Sequence, residues 1–180
     1  MPLPKSNYTA EDYWNLPEGE RAELINGIFY AMAPPSFIHQ KLISQISYQF
    51  NAYIKRNNGK CEVIPAPFAV NLDANNKDWV EPDISIICDK NKLTKRGCAG
   101  APDLIVEIVS PTSRQHDYSI KNTLYSTSGV REYWIVDPAK EKVVVYSYEN
   151  DSDPFLYSFH DTVPVSIYKG ELSICISELL

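Results

Sequence analysis

Two short strand-like runs lie near the start of the chain, Glu23-Leu24-Ile25 and Ile28-Phe29-Tyr30-Ala31-Met32, with Asn26-Gly27 between them. Asn-Gly is the strongest dipeptide signal for a two-residue hairpin turn, so Ala22 to Ala33 is predicted as a hairpin. Pro34-Pro35-Ser36 then interrupts the chain, and Ile38, Leu42, Ile46, Phe50 and Ile54 recur near the helical period up to Asn57-Asn58-Gly59. One long amphipathic helix is predicted there.

Beyond it, Cys61 to Val70 and Val80 to Cys88 are rich in β-branched or aromatic residues and flank the turn-like Asp73-Ala74-Asn75-Asn76-Lys77-Asp78, so they are expected to pair as strands. Leu104 to Val109 reads as a buried strand, ended at Ser110-Pro111 by a proline that a central ladder does not accept. A helix is predicted from about His116 to Ser126, with Ile120 and Leu124 on one side and Asp117, Lys121 and Tyr125 spaced by four along another; Gly129 stops it. The rest alternates strands and turns: Arg131 to Val136, Lys142 to Tyr148, Pro154 to Phe159, Val163 to Tyr168 and Glu171 to Ile176. This order fits neither regular βαβ alternation nor an all-β pattern. It predicts an α/β (α+β) fold with a mixed central sheet flanked by helices, an N-terminal hairpin and antiparallel strands at the C-terminal end. Repeats and interdomain linkers are absent, and 180 residues suit a single domain, 1–180, able to bury a core without disulfides.

Cys61, Cys88, Cys98 and Cys175 lack C-x-x-C spacing, which argues for reduced thiols in a cytoplasmic protein rather than a zinc site or a disulfide scaffold. The opening residues contain no apolar core of signal-peptide length, and no stretch is apolar for long enough to suggest a membrane span. A formal net charge of -6 argues against broad adhesion to nucleic acid. Lys90, Lys92, Lys95 and Arg96, clustered between two strands, are either a phosphate-reaching loop or a solvated connection.

The chemistry begins at Glu107, which interrupts the apolar run Leu104-Ile105-Val106-Glu107-Ile108-Val109. An ionised carboxylate in a buried strand is expensive unless it is paired or holds a metal. Asp83 opens the preceding apolar strand after Pro82, and Lys121 lies on the helix that follows. Two carboxylates suit Mg²⁺, a hard cation commonly held by one or two carboxylates plus waters and substrate oxygens, and a nearby lysine can position water or stabilise developing charge. The competing interpretation is a structural ion pair between Glu107 and Lys121 or Arg114.

These residues resemble the PD-(D/E)XK nuclease superfamily and, more narrowly, the Uma-two family. The resemblance rests on Glu23-Leu24-Ile25-Asn26-Gly27, His39-Gln40, Pro82-Asp83, Pro102 to Pro111, Asp117 with Lys121 and Tyr125, and Gly129 to Pro138. It implies a restriction-endonuclease-like core and a DNA-cleaving, metal-dependent endonuclease, with Asp83 and Glu107 as ligands of Mg²⁺ (or Mn²⁺) and the Ile108 carbonyl as a third oxygen. The superfamily's lysine two residues after the glutamate would fall at Val109, so Lys121 takes its place from the helix. Glu23 is either an acid that orients a metal-bound water, as the resemblance implies, or an exposed hairpin glutamate. A homodimer is expected, since two active sites related by a twofold axis cut a duplex most simply. The alternative is a noncatalytic member of the fold that binds nucleic acid or protein.

Other polar residues have plainer readings. His39 is expected to be partly buried and hydrogen-bonded, with a phosphate contact as the second reading, while His116 and His160 have no partner visible in sequence. Ser110, Thr112 and Ser113 are expected to cap the next helix. Asp103 marks a strand entry, Asp137-Pro138 a turn, and Tyr133 and Trp134 core packing.

Overall fold

The computed structural model describes residues 7–74, 76–150 and 153–180. The opening residues 1–6, read above for a signal peptide, and Asn75 in the predicted turn lie outside them. A short helix, α1 (Ala10–Trp14), precedes the hairpin β1 (Ala22–Ile25) and β2 (Ile28–Ala31). Both turn residues, Asn26 (φ 50°) and Gly27 (φ 74°), adopt the positive φ that this hairpin turn requires. The long helix α2 (Phe37–Arg56) starts at Ser36, whose side chain accepts the His39 N–H, and buries Leu42, Ile46, Phe50 and Ile54 along one face.

The two long extended runs do pair, but each is broken in two. Val63 and its neighbours form β3 (Glu62–Pro65), while Val70–Asn71 is β4; Trp79–Val80 is β5, and Ile84–Ile87 is β6. β3 pairs with β6, and β4 with β5, all antiparallel. The breaks fall at Ala66-Pro67 and at Glu81-Pro82-Asp83, where a proline without an N–H ends the ladder. Both runs cross there from one sheet to the other. The loop expected to carry the basic cluster instead contains β7 (Leu93–Thr94) and β8 (Gly97–Ala99).

The central sheet has six strands in the order β12 (Phe155–Ser158), β11 (Lys142–Ser147), β10 (Glu132–Asp137), β9 (Leu104–Ile108), β6 and β3. It is mixed, as expected: β9 and β10 run parallel, and the other pairs are antiparallel. A second six-stranded sheet contains the N-terminal hairpin, in the order β2-β1-β5-β4-β8-β7. The C-terminal hairpin is β13 (Thr162–Pro164) with β14 (Ser173–Cys175).

Strand alternation sorts the central sheet into two packed faces. Leu104, Val106 and Ile108, with Trp134 and Val136, meet α2 and the C-terminal hairpin. Ile105, Val109, Tyr133 and Ile135 meet Ile25, Val70 and Val80 of the second sheet and Tyr125 of α3 (Asn122–Ser128). Glu107 has the parity of the second group, so it projects between the layers. Glu23 and Ile25 likewise share the inner face of β1, while Leu24 faces outward against Tyr13 and Trp79.

The cysteine reading needs correction. Cys61 and Cys88 form a disulfide, and only Cys98 and Cys175 are free among the described residues. The register supplies the reason: Glu62 opposes Ile87, so the residues one step outward, Cys61 and Cys88, are brought face to face across the β3–β6 pair. No helix of the described residues is long and apolar enough to cross a membrane.

Candidate active site

Five segments deliver acidic or basic side chains to one cleft of about 1370 Å³ between the two sheets, which Glu23, His39, Asp83, Glu107, Asp117 and Lys121 help to line. Asp83 arrives from the crossing point after Pro82. Its Oδ2 accepts the Ile108 N–H at 2.7 Å, and its own N–H points at Glu107 Oε2 at 3.4 Å. The backbones of β6 and β9 thereby fix the two carboxylates beside each other. Glu107, 3% exposed, also accepts the Tyr125 hydroxyl at 2.7 Å and the Lys121 ammonium at 2.9 Å, both on Oε1.

Lys121 closes the arrangement. Its Nζ lies 2.9 Å from Glu107, 2.9 Å from Glu23 and 3.6 Å from Asp117. The lysine belongs to a stretch of π-helix, His116–Lys121, that runs into α3. Burial would lower its pKa, but the surrounding Glu107, Glu23 and Asp117 outweigh burial and hold it well above the ordinary lysine range. It is an ammonium, a donor and a fixed positive charge.

Glu23 is not the exposed hairpin glutamate of the second sequence reading; it is 3% exposed. Burial pushes its carboxyl up, but Lys121, His116 and the Glu81 N–H at 3.0 Å prevail and hold it down to about 2. His116, without a visible partner in the sequence, lies 3.4 Å from Glu23 Oε2 and packs its ring on Tyr30. Because the folded value lies below the ordinary 4.5, ionised Glu23 contributes stability above that pH, and the contribution is lost as pH falls towards 2. The stability difference between wild type and Glu23→Gln, measured by urea unfolding, is therefore expected to be full near neutrality and to close across that acidic window. A difference independent of pH would show that Glu23 is held by packing alone.

Glu107 moves the opposite way. Burial comes first, and although Lys121 opposes it, the crowding of Asp83, Asp117 and Glu23 helps keep its pKa well above the usual carboxylate value. Asp117 is raised as well, by burial foremost. Four carboxylates thus face one ammonium, with His39 as a further partner. His39 Nε2 sits 3.1 Å from Asp83 Oδ2. Burial disfavours its charged form, yet Asp83 and the Ile108 backbone raise its pKa above the ordinary value. The partly buried, hydrogen-bonded reading of His39 describes this position.

These observations test whether a divalent cation suits the residues present. The donors facing the cleft are mainly carboxylate oxygens, with the His39 and His116 imidazoles beside them and no thiolate, which suits a hard cation. Burial raises Glu107 first and the neighbouring Asp83, Asp117 and Glu23 add to it, and that added repulsion is what such a cation would relieve. Among the described residues no group of three or more His, Cys, Asp or Glu side chains is arranged to hold a metal ion, so a cation here would rest on two carboxylates with water and substrate oxygens.

The structure thus brings Asp83, Glu107, Lys121 and Glu23 together, with the Ile108 backbone beside them. Glu107 pairs with Lys121 and not with Arg114, which instead meets buried Asp137 at 2.9 Å. Asp137 is consequently a buried ion-pair partner as well as the end of β10. Tyr125 and Asp117 were marked by their spacing of four and by the resemblance, without a role for either, and nothing in the sequence signalled His39 as the partner of Asp83. The hydroxyls expected to cap the next helix are instead spent within the turn: Ser113 Oγ accepts the Ser110 N–H at 3.0 Å, Ser110 Oγ accepts the Ser113 N–H at 3.1 Å, and the π-helix starts without a side-chain cap. The basic loop lies elsewhere: Lys90 pairs with Glu62, Lys92 donates to the Ala101 carbonyl, and Arg96 stacks over Trp14.

Comparison with known proteins gives a consistent result. A relative from Synechocystis, described as "Uncharacterized protein slr1290", is 25% identical over 161 residues, covering 88% of this chain and 82% of its own. A crystal structure from Anabaena variabilis, described as a "putative nuclease belonging to DUF820", superposes with a TM-score of 0.78 at 22% identity, covering 96% of this chain and 97% of that one. At that identity the likeness shows a shared fold. A family model, Uma2, described as "Putative restriction endonuclease", matches residues 10–167, which include every residue of the cluster. The chain belongs to the Uma2 family.

Proposed function

We propose that this protein is a Mg²⁺-dependent endonuclease that hydrolyses phosphodiester bonds in DNA. The observation that carries the reading is the convergence of Asp83, Glu107, Glu23 and Lys121, from both sheets and a helix, on one cleft. Asp83 and Glu107 would hold the cation, with the Ile108 carbonyl as a third oxygen and Mn²⁺ as a substitute. Bound there, it would neutralise phosphate charge and lower the pKa of an attacking water. Lys121, a permanent ammonium, stabilises negative charge on the phosphoryl oxygens and is not a base. Glu23, ionised and 2.9 Å from Lys121, is an acceptor able to orient the water. Tyr125 and Asp117 hold Glu107 and Lys121 in place.

A noncatalytic cleft for a polyanion is disfavoured by the same cluster. Four buried carboxylates would repel phosphate unless a cation lay between them. A homodimer remains part of the proposal, on the ground that duplex cleavage needs two cuts.

Calorimetry with Mn²⁺ tests the reading first. Wild type is expected to bind weakly, since the open site awaits substrate oxygens, and Asp83→Ala combined with Glu107→Ala is expected to bind none. Equal binding by both proteins would remove these residues as the metal site.

A further inference from the structure

We propose that Arg114 and Lys140, with Gln115 beside them, form a second phosphate-binding subsite that holds a neighbouring phosphodiester of the strand being cut; it rests on the nuclease reading above. A groove of about 440 Å³ is lined by Pro111, Arg114, Gln115, Tyr118 and Lys140. It contains two cations, an amide and a phenol, and no carboxylate. In a chain with 23 acidic and 17 basic residues, that composition stands out. Pro111 and Gln115 also line the large cleft, so the groove continues from the candidate active site around the turn that follows β9.

One buried carboxylate sets both cations. Asp137, fully buried, accepts Arg114 Nη2 at 2.9 Å and the Lys140 N–H at 3.2 Å, both on Oδ1. This anchors the guanidinium by one nitrogen while a third of the side chain stays exposed, and it ties the turn that carries Lys140 to the same point. With Nε buried, a guanidinium held from below turns its Nη edge outward in a fixed orientation, which suits phosphate oxygens. Pairing with Asp137 alone would account for one nitrogen of Arg114. It would not account for an exposed Lys140 beside it in a groove free of acids.

The lysines of the Lys90–Arg96 loop are the competing phosphate contacts, but Lys90 and Lys92 are already satisfied by Glu62 and the Ala101 carbonyl. None of the loop's residues lines the cleft.

The test measures affinity for a short DNA duplex without divalent metal, over a range of salt concentrations, alongside cleavage with Mg²⁺. Lys140→Ala changes an exposed turn residue. Arg114→Lys keeps a charge for Asp137 but loses the Nη edge. Both are expected to fold normally by circular dichroism. Lys140→Ala should lower the slope of log affinity against log salt by about 0.9, one phosphate contact, and the two changes together should weaken binding about tenfold or more. KM for cleavage should rise while the rate at saturating DNA stays within a few-fold. Replacing the contacted phosphate beside the mapped cut with a neutral methylphosphonate should weaken wild type more than it weakens Lys140→Ala, which keeps only the Arg114 contact. Lys95→Ala should alter nothing. An unchanged slope and KM in a wild type that cuts DNA would overturn the subsite alone. A wild type that neither binds nor cuts DNA would overturn it together with the nuclease reading.

Discussion

Glu107→Gln is expected to lower single-turnover cleavage of linear and supercoiled DNA by at least about a hundredfold, the scale lost when an acid-base or electrostatic catalytic group is removed. The substitution keeps the side chain's size and leaves an amide oxygen to accept from Lys121 and Tyr125, both within 2.9 Å of the present carboxylate. It removes the charge that would hold a cation next to Asp83. Because burial foremost, and then the crowding of Asp83, Asp117 and Glu23, already resists ionisation of this carboxyl, its neutral analogue should be tolerated by the fold. Loss of cleavage should therefore come without loss of folded protein. DNA affinity, governed by peripheral cations, should change much less. Cleavage that survives unchanged would mean that the chemistry is carried elsewhere.

The second large effect is on stability. Lys121→Met is expected to destabilise the protein by about 3–5 kcal/mol, because breaking a buried ion pair leaves its partner's charge uncompensated, and here one lysine serves Glu23 and Glu107 together. Adding Glu23→Gln to that variant should recover part of the loss by removing one orphaned charge, a non-additivity expected of contacting groups. Urea midpoints of wild type, both single variants and the double variant measure this directly. Additive losses would show that Glu23 and Lys121 do not depend on each other for their place. Any cleavage assay of Lys121 variants must accordingly be made on protein shown to be folded.

The elements that were legible in the sequence are those whose signal is local. Asn26-Gly27 specifies its turn, the spacing of Ile38 to Ile54 specifies a helix, and one carboxylate in an apolar strand identifies Glu107 as needing a partner. What the sequence hid was long-range. Nothing local says that a run such as Val80 to Cys88 changes sheets at Pro82, yet that change places Asp83 beside Glu107. The Cys61–Cys88 bond follows from strand register, which motif spacing does not encode. An exposed position stayed open as one of two readings of Glu23 because a four-residue hairpin strand does not announce that its inner face is covered by another sheet and a helix. His39 stands one turn into a helix, and its approach to Asp83 depends on how that helix crosses the sheet.

The π-helical stretch has a consequence for how the helix aims its side chains. In a regular α-helix, residues four apart advance by about 40° beyond a full turn, so a series of three drifts by about 80° around the axis. A π-turn is wider, and the same step falls short of a full turn instead of overshooting it. From Asp117 to Lys121 the chain takes the wide step, and from Lys121 to Tyr125 the ordinary one. The lag and the lead offset each other, and all three side chains stay aligned on the carboxylates, each buried to 4% exposure or less. The helix therefore brings Lys121 to the carboxylates out of regular phase, and the lysine's position is inseparable from that irregularity.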